Sequence, residues 1–100
     1  MTAVLPDGVE HYKRTASFTE SSVPAALLNN HSTKQGTWGL IRVEEGQLRY
    51  FVTDPRRPPS ETIVTPARPA VIEPTVIHRV EPLGAVLFHV EFHRAVSAAA

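Results

Sequence analysis

Apolar and polar residues alternate most cleanly near the end of the chain, where Val86, Phe88, Val90 and Phe92 interleave with Leu87, His89, Glu91 and His93. Period two predicts a half-buried strand over Ala85–Phe92. The signature recurs at Leu48, Tyr50 and Val52 against Gln47, Arg49 and Thr53, interrupted by Phe51. Just upstream, Trp38–Val43 reads as another strand, and Glu44-Glu45-Gly46-Gln47 as a tight turn joining the two into a hairpin. Gly46 would supply the positive φ that such a turn needs.

The remaining pattern is weaker. Val9–Thr19 is mixed and reads as one extended strand anchored by Tyr12 and Phe18. Pro24 breaks any long helix, and Ala25–Asn29 stays open between a strand and a helical turn. Asn29-Asn30 forms a polar bend into an arm that carries His31 and Lys34. Asp54–Ser60, with prolines at 55, 58 and 59, is a loop, and Arg56-Arg57 within it is read as solvated. Glu61–Val64, Pro69–Glu73 and Ile77–Val80 are short strands, the last closed by a Glu81-Pro82-Leu83-Gly84 turn. Roughly seven to nine short strands with no convincing helix predict an all-β antiparallel sandwich or small barrel. The expected organisation is one domain over 1–100, with a core of about 9–94 and a disordered tail at 95–100.

Composition narrows the function classes. One hundred residues suit a single modest core, and an apolar fraction of 42% is ordinary for a globular domain. No apolar run approaches the ~18 residues that cross a bilayer, and the N-terminus lacks a secretory pattern, so no membrane partner and a cytoplasmic location are expected. Ten basic residues balance ten acidic ones, which argues against nucleic acid as a partner. The absence of cysteine removes disulfides, thiolate ligands and cysteine nucleophiles. Thr15, Ser17 and Ser97 have no base paired with them, and Gly36 and Gly39 make no phosphate loop. Whether the chain is an enzyme stays open.

Histidines carry what chemistry remains. His78 follows an extended approach after Pro74, and its bland alternative is a buried ring bonded to Glu81 or to a backbone carbonyl. His31 is either a loop histidine beside Asn30 or part of a site. His89, Glu91 and His93 share one face of the last strand, with successive side chains about 7 Å apart. If Phe88, Val90 and Phe92 point inward, that stripe is a solvent face; if the stripe points inward, His89 joins His31 and His78. Glu73 and Glu81 bracket His78 as partners for its ring. Lys34 is an exposed charge or a cation at a pocket mouth, and Trp38 a core residue or a pocket wall.

Two segments, HSTKQGTWG at His31–Gly39 and EPTVIHRVE at Glu73–Glu81, give the chain a resemblance to a known family. Together with IVTP and the strand ending FHVEF, they resemble the small domain at the N-terminus of some TehB tellurite-resistance proteins, which also occurs alone in the YeaR family. The resemblance runs from about Tyr12 to Phe92. It implies a single-domain cupin, a double-stranded β-helix of the jelly-roll kind, which commonly pairs as a homodimer. Of the usual cupin ligands, the first-block region offers only His31, and the second block keeps its terminal histidine, His78, while losing its first proline and its glycine. What the resemblance implies is a divalent transition metal (zinc, iron, nickel or manganese) held by His31, His78 and His89. Glu73, Glu81, Glu91, Lys34 and Trp38 would lie around it. The expected function is a metal-binding cupin loosely tied to tellurite or oxyanion stress, or else a small-ligand or metal-sensing module. In two-domain relatives methyl transfer would belong to a following domain, and no glycine-rich nucleotide loop is present here.

Overall fold

The computed structural model describes residues 4–96. In chain order its elements are β1 (Val9–Arg14), β2 (Phe18–Thr19), a one-turn helix α1 (Ala25–Leu28), β3 (Thr37–Val52), β4 (Ser60–Val64), β5 (Ala70–Ile72) and β6 (His78–Ala95). Every strand pairing is antiparallel, and the domain is all-β as expected. The sheet runs in the order β1-β6-β3-β4, with β2 on β6 and β5 on β3. This path has two ends, so of the expected sandwich or barrel the structure shows an antiparallel sheet that is bent and not closed.

Two predicted turns do not exist. Gly46 does not reverse the chain: β3 runs straight through it, and its partner on both sides is β6. Thr37–Val43 pairs with Arg94–Phe88, and Leu48–Val52 pairs with Pro82–His78. The register shifts between Val43 and Glu45 and again between Gly46 and Leu48, so the two glycine-marked sites face each other as irregularities in one long ladder. Gly46 at φ 83° and Gly84 at φ 70° supply left-handed backbone, but for a kink. A bulge and a two-residue turn call for the same residue types, and the sequence pattern alone does not separate them.

The bend lets both halves of the long pair feed one core. Ile41, Val43, Val86, Phe88 and Val90 come from one side of the kink, and Leu48, Tyr50, Val64 and Val80 from the other. Phe88, Val90 and Phe92 thus point inward, which answers the question the alternation left open. The apolar parity along β3 switches from odd (Ile41, Val43) to even (Leu48, Tyr50) across the kink, as an extra residue in a strand requires. Val9–Thr19 is two strands rather than one, and Ala25–Leu28 takes the helical alternative. Ala95, placed in a tail by the sequence pattern, pairs with Val9, while residues 97–100 of that tail lie outside the described residues.

Candidate functional site

His31 and His78 lie 47 positions apart in the chain and side by side in the fold. Their backbones form a reciprocal bridge, His31 N–H donating to the His78 carbonyl at 2.9 Å and His78 N–H to the His31 carbonyl at 2.8 Å. This adds the polar arm as a short strand against the start of β6. The rings meet edge to face with centroids 4.1 Å apart, and Tyr50 stands behind His78 at 5.5 Å.

His78 is 1% exposed. Its Nδ1 lies 2.8 Å from the Val76 carbonyl. A carbonyl only accepts, so Nδ1 carries the proton and donates, and Nε2 is left with a lone pair. Nε2 is buried and has no hydrogen-bond partner. Burial drives the pKa of His78 down to about 4, with His31 adding to the effect and the Val76 bond opposing it. The ring is neutral at pH 7. His31 is built alike, its Nδ1 donating to the Asn29 carbonyl at 2.9 Å. Burial of Tyr50 raises its phenol to about 12, with Glu73 adding to the effect, so it too stays neutral.

Both rings line a cavity of about 270 Å³. Its apolar wall is Leu27, Ile72, Val90 and Phe92, and its polar side is Thr15, Ser32, Thr33 and Thr37. Lys13 and Lys34 complete the lining with Tyr12, and no carboxylate is among these residues. The Lys13 ammonium sits 5.6 Å from the Phe92 ring centre, against the apolar wall. Lys34 is exposed and also lines the mouth, so the two readings of it merge.

A buried carboxylate fixes the segment that carries His78. Asp54 Oδ1 accepts from the Arg56 backbone N–H and from its Nε, while Oδ2 accepts from Arg56 Nη2 and the Ile77 N–H. Arg56 Nη2 also donates to the Thr75 carbonyl at 2.8 Å. These bonds hold the Asp54 carboxyl far below the usual carboxylate range, the Arg56 side chain contributing most. Arg56 is therefore a brace rather than a free loop charge. Between these anchors Thr75 takes φ 65°, a left-handed conformation that a β-branched residue rarely adopts. Sequence reasoning missed this brace, although Asp-Pro-Arg is a turn signal in which the aspartate bonds backbone two residues on.

The other predicted residues lie elsewhere. His89 is on the opposite face of β6 and does not join His31 and His78. Its Nδ1 lies 2.8 Å from Glu44 Oε2 and its Nε2 3.2 Å from Glu91 Oε2, so a carboxylate sits against each ring nitrogen. Glu44 titrates below its ordinary value, chiefly through the Ser17 hydroxyl that donates to it and then through His89. Glu91 is partly buried, which opposes ionisation, but His89 and Arg42 carry it below the ordinary value as well. Glu73 pairs with Arg57 at 3.1 Å, and Glu81 with Arg49 at 3.3 Å and Arg79 at 3.5 Å, so neither orients His78. Trp38 sits opposite His93 in the ladder and is not in the cavity lining. Lys13 and Thr15 were missed because only the β1–β6 pairing brings them to the site.

The comparisons place this geometry in a family. A model of the TehB-like domain matches residues 13–90. The chain belongs to the TehB-like domain family. Two curated relatives from strains of Haemophilus influenzae, each named a probable S-adenosyl-L-methionine-dependent methyltransferase TehB, are 35% and 34% identical over 74 residues. That alignment covers 72% of this chain, and the chain spans about a quarter (26%) of either relative. The crystal structure of Haemophilus influenzae TehB superposes with a TM-score of 0.80 at 28% identity, covering 89% of this chain and 32% of that one. A crystal structure of an Escherichia coli protein superposes at 0.84 and 20% identity, covering 96% of this chain and all of that one, a likeness of fold.

These findings overturn the metal reading. Among the described residues no group of three or more His, Asp or Glu side chains is placed to hold a metal ion. His31 and His78 have no third donor, since His89 is bound on the far face and Glu73 and Glu81 are engaged by arginines. The relatives, moreover, are named for S-adenosylmethionine-dependent methyl transfer and not for a metal. The expected metal-binding function and the divalent cofactor are both corrected on these grounds. Among the described residues, no helix is long and apolar enough to cross a membrane.

Proposed function

We propose that this domain serves S-adenosylmethionine-dependent methyl transfer by binding a small polar molecule in the His31–His78 cavity. The observation that carries this reading is the buried Nε2 of His78, a hydrogen-bonding atom left without a partner beside a cavity. Leaving such an atom unmet costs about 1–3 kcal/mol, a cost that an occupant offsets on binding. The names of the TehB relatives supply the context of methyl transfer. The cavity itself does not suit S-adenosylmethionine. Two lysines in the lining would repel a sulfonium, and no carboxylate there can accept from ribose hydroxyls or an ammonium. No methyl-transfer step is therefore assigned to these residues.

The test is an amide NMR screen of the chain with small polar compounds, alongside a titration with S-adenosylmethionine. Compounds that shift Thr37, Ile72, His78 and Val90, with no response there to S-adenosylmethionine, are the expected result. S-adenosylmethionine seated at these residues would overturn the reading.

We infer further that the bent sheet rolls in the jelly-roll sense, supported by a core drawn from both halves of the β3–β6 pair. One domain over 1–100, working in the cytoplasm where its relatives' cofactor would be available, goes with the same proposal. A homodimer through the outer edge of β4 completes it. That strand ends the sheet path and carries a half-buried Ile63 between Thr62 and the buried Val64. Light scattering should report a dimer that Ile63→Lys converts to monomer; a monomeric parent chain refutes the pairing.

A further inference from the structure

We infer that the occupant of the cavity is a small monoanion carrying its own hydrogen-bond donor, its charge drawn by Lys13 and Lys34 and its donor directed to Nε2 of His78. This rests on the reading of the cavity as a binding site and goes on to say what chemistry fits it.

The donor requirement follows from His78. Its single ring proton is committed to the Val76 carbonyl, so the atom left for an occupant can only accept. An imidazole at the floor of an anion site would ordinarily be expected to donate. Here burial keeps the second proton off, with the pKa at about 4. A bare, fully deprotonated oxyanion would therefore meet Nε2 lone pair to lone pair, whereas a hydroxyl or N–H satisfies it. His31, with Nδ1 tied to the Asn29 carbonyl, presents its other nitrogen in the same sense when neutral.

The charge requirement follows from the rest of the lining. Lys13 and Lys34 contribute two positive charges, and no carboxylate among the lining residues offsets them. The carboxylates nearest in sequence to His78 are engaged elsewhere, Glu73 by Arg57 and Glu81 by Arg49 and Arg79. Thr15, Ser32, Thr33 and Thr37 add hydroxyls that can turn toward an anion as donors. The size and walls favour an organic molecule. About 270 Å³ bounded by Leu27, Ile72, Val90 and Phe92 suits a short aliphatic body. A small hydroxy acid meets all three conditions. An inorganic monoanion that keeps one of its hydroxyls shares the polar part of that chemistry and lacks the apolar part.

The experiment compares 2-hydroxy-3-methylbutanoate, 3-methylbutanoate, the methyl ester of the former, and inorganic phosphate below neutral pH, where the monoanion dominates. Each is titrated into the intact chain and followed by amide shifts and by the ring nitrogens of His78. The hydroxy acid should bind about tenfold tighter than the deoxy acid, the loss expected when a buried acceptor goes unmet. It should also bind tighter than the ester, and its binding should move Nε2 of His78 while Nδ1 stays protonated. Phosphate as tight as the hydroxy acid would support the same polar chemistry with an inorganic source. Equal binding by the deoxy acid or by the neutral ester would overturn the inference and leave the cavity reading standing. If none of the four compounds, anionic or neutral, perturbs Thr37, Ile72 or Val90, the cavity reading itself fails. His78→Phe should abolish the preference for the hydroxyl, and Lys13→Met with Lys34→Met the preference for acid over ester. The ratios on the parent chain decide the matter even if His78→Phe does not fold.

Discussion

At the scale of single residues, His78 and Thr75 show how local cost is organised around the cavity. A histidine with a pKa of about 4 in the fold against an ordinary value of 6.5 is a stability statement with a definite sign. Between those values the unfolded chain takes up a proton that the folded chain refuses. Stability is therefore complete above about pH 6.5, declines as pH falls from about 6.5 to about 4, and levels off below that, the total loss being about 3 kcal/mol. A ring-proton NMR titration should place the midpoint of His78 near 4, and urea unfolding should show the decline; a midpoint near 6.5 would mean that the ring is not buried as described. Thr75 is the opposite case, a cost with no titration. Its φ of 65° is held by the Arg56 contact to its carbonyl and by its own N–H donating to the Thr33 carbonyl at 3.0 Å. Asparagine tolerates this region far better than threonine, and the side chain is exposed. Thr75→Asn should therefore raise stability by about 1 kcal/mol in chemical unfolding without altering ligand response.

The element that decides the architecture is the β3–β6 pair, and its weak point is the kink. A Cβ built on Gly46 would lie 2.2 Å from the Ala85 carbonyl oxygen, and the residue sits at φ 83°. Gly36 has the same φ of 83° but open space around it. Gly36→Ala should cost about 1 kcal/mol for backbone conformation alone. Gly46→Ala should cost about 3 kcal/mol or more, because a backbone oxygen must also move. The difference between the two in urea unfolding measures how tightly the strands approach at the kink. The same element shows what could be read in advance. Alternation gave the strand identity of β6 and of 48–52, because burial on one side leaves a periodic trace, but it left the inward face of β6 open, since His89 and Glu91 alternate as regularly as Phe88 and Val90. Continuity did not show, since Gly46 and Gly84 meet the requirements of turns and of bulges alike, and only the pairing partner tells them apart. The His31–His78 contact was legible through the resemblance of the two motifs that carry them. The misplacement of His89 came from treating the outer stripe as available, when its two carboxylate neighbours, Glu44 and Glu91, hold it on the far face. Lys13 and Asp54 left weaker traces: one depends on a long-range pairing, the other on a turn chemistry visible in Asp-Pro-Arg.

For the molecule as a whole, the question is whether a bent sheet with open ends behaves as one cooperative unit or as two half-sheets hinged at Gly46. The core argues for one unit. Ile41 lies on one side of the kink and Leu48 on the other, both are fully buried, and both belong to the same cluster around Phe88. Each half-sheet would expose much of its inner face without the other, so partial unfolding would leave a large apolar surface in water. Removing either side chain should then destabilise the whole domain equally well: Ile41→Ala and Leu48→Ala should each cost about 3 kcal/mol, the cost of a cavity in a packed core. Trp38 reports from the half that contains Ile41, and far-UV circular dichroism reports from all strands. In the parent chain and in both variants the two signals should follow a single coincident transition in urea. A Trp38 transition that moves with Ile41→Ala but not with Leu48→Ala would instead divide the molecule at the kink. The cavity spans β1, β5, β6 and the His31 arm, so such a division would also mean that ligand binding, rather than the core, holds its walls together.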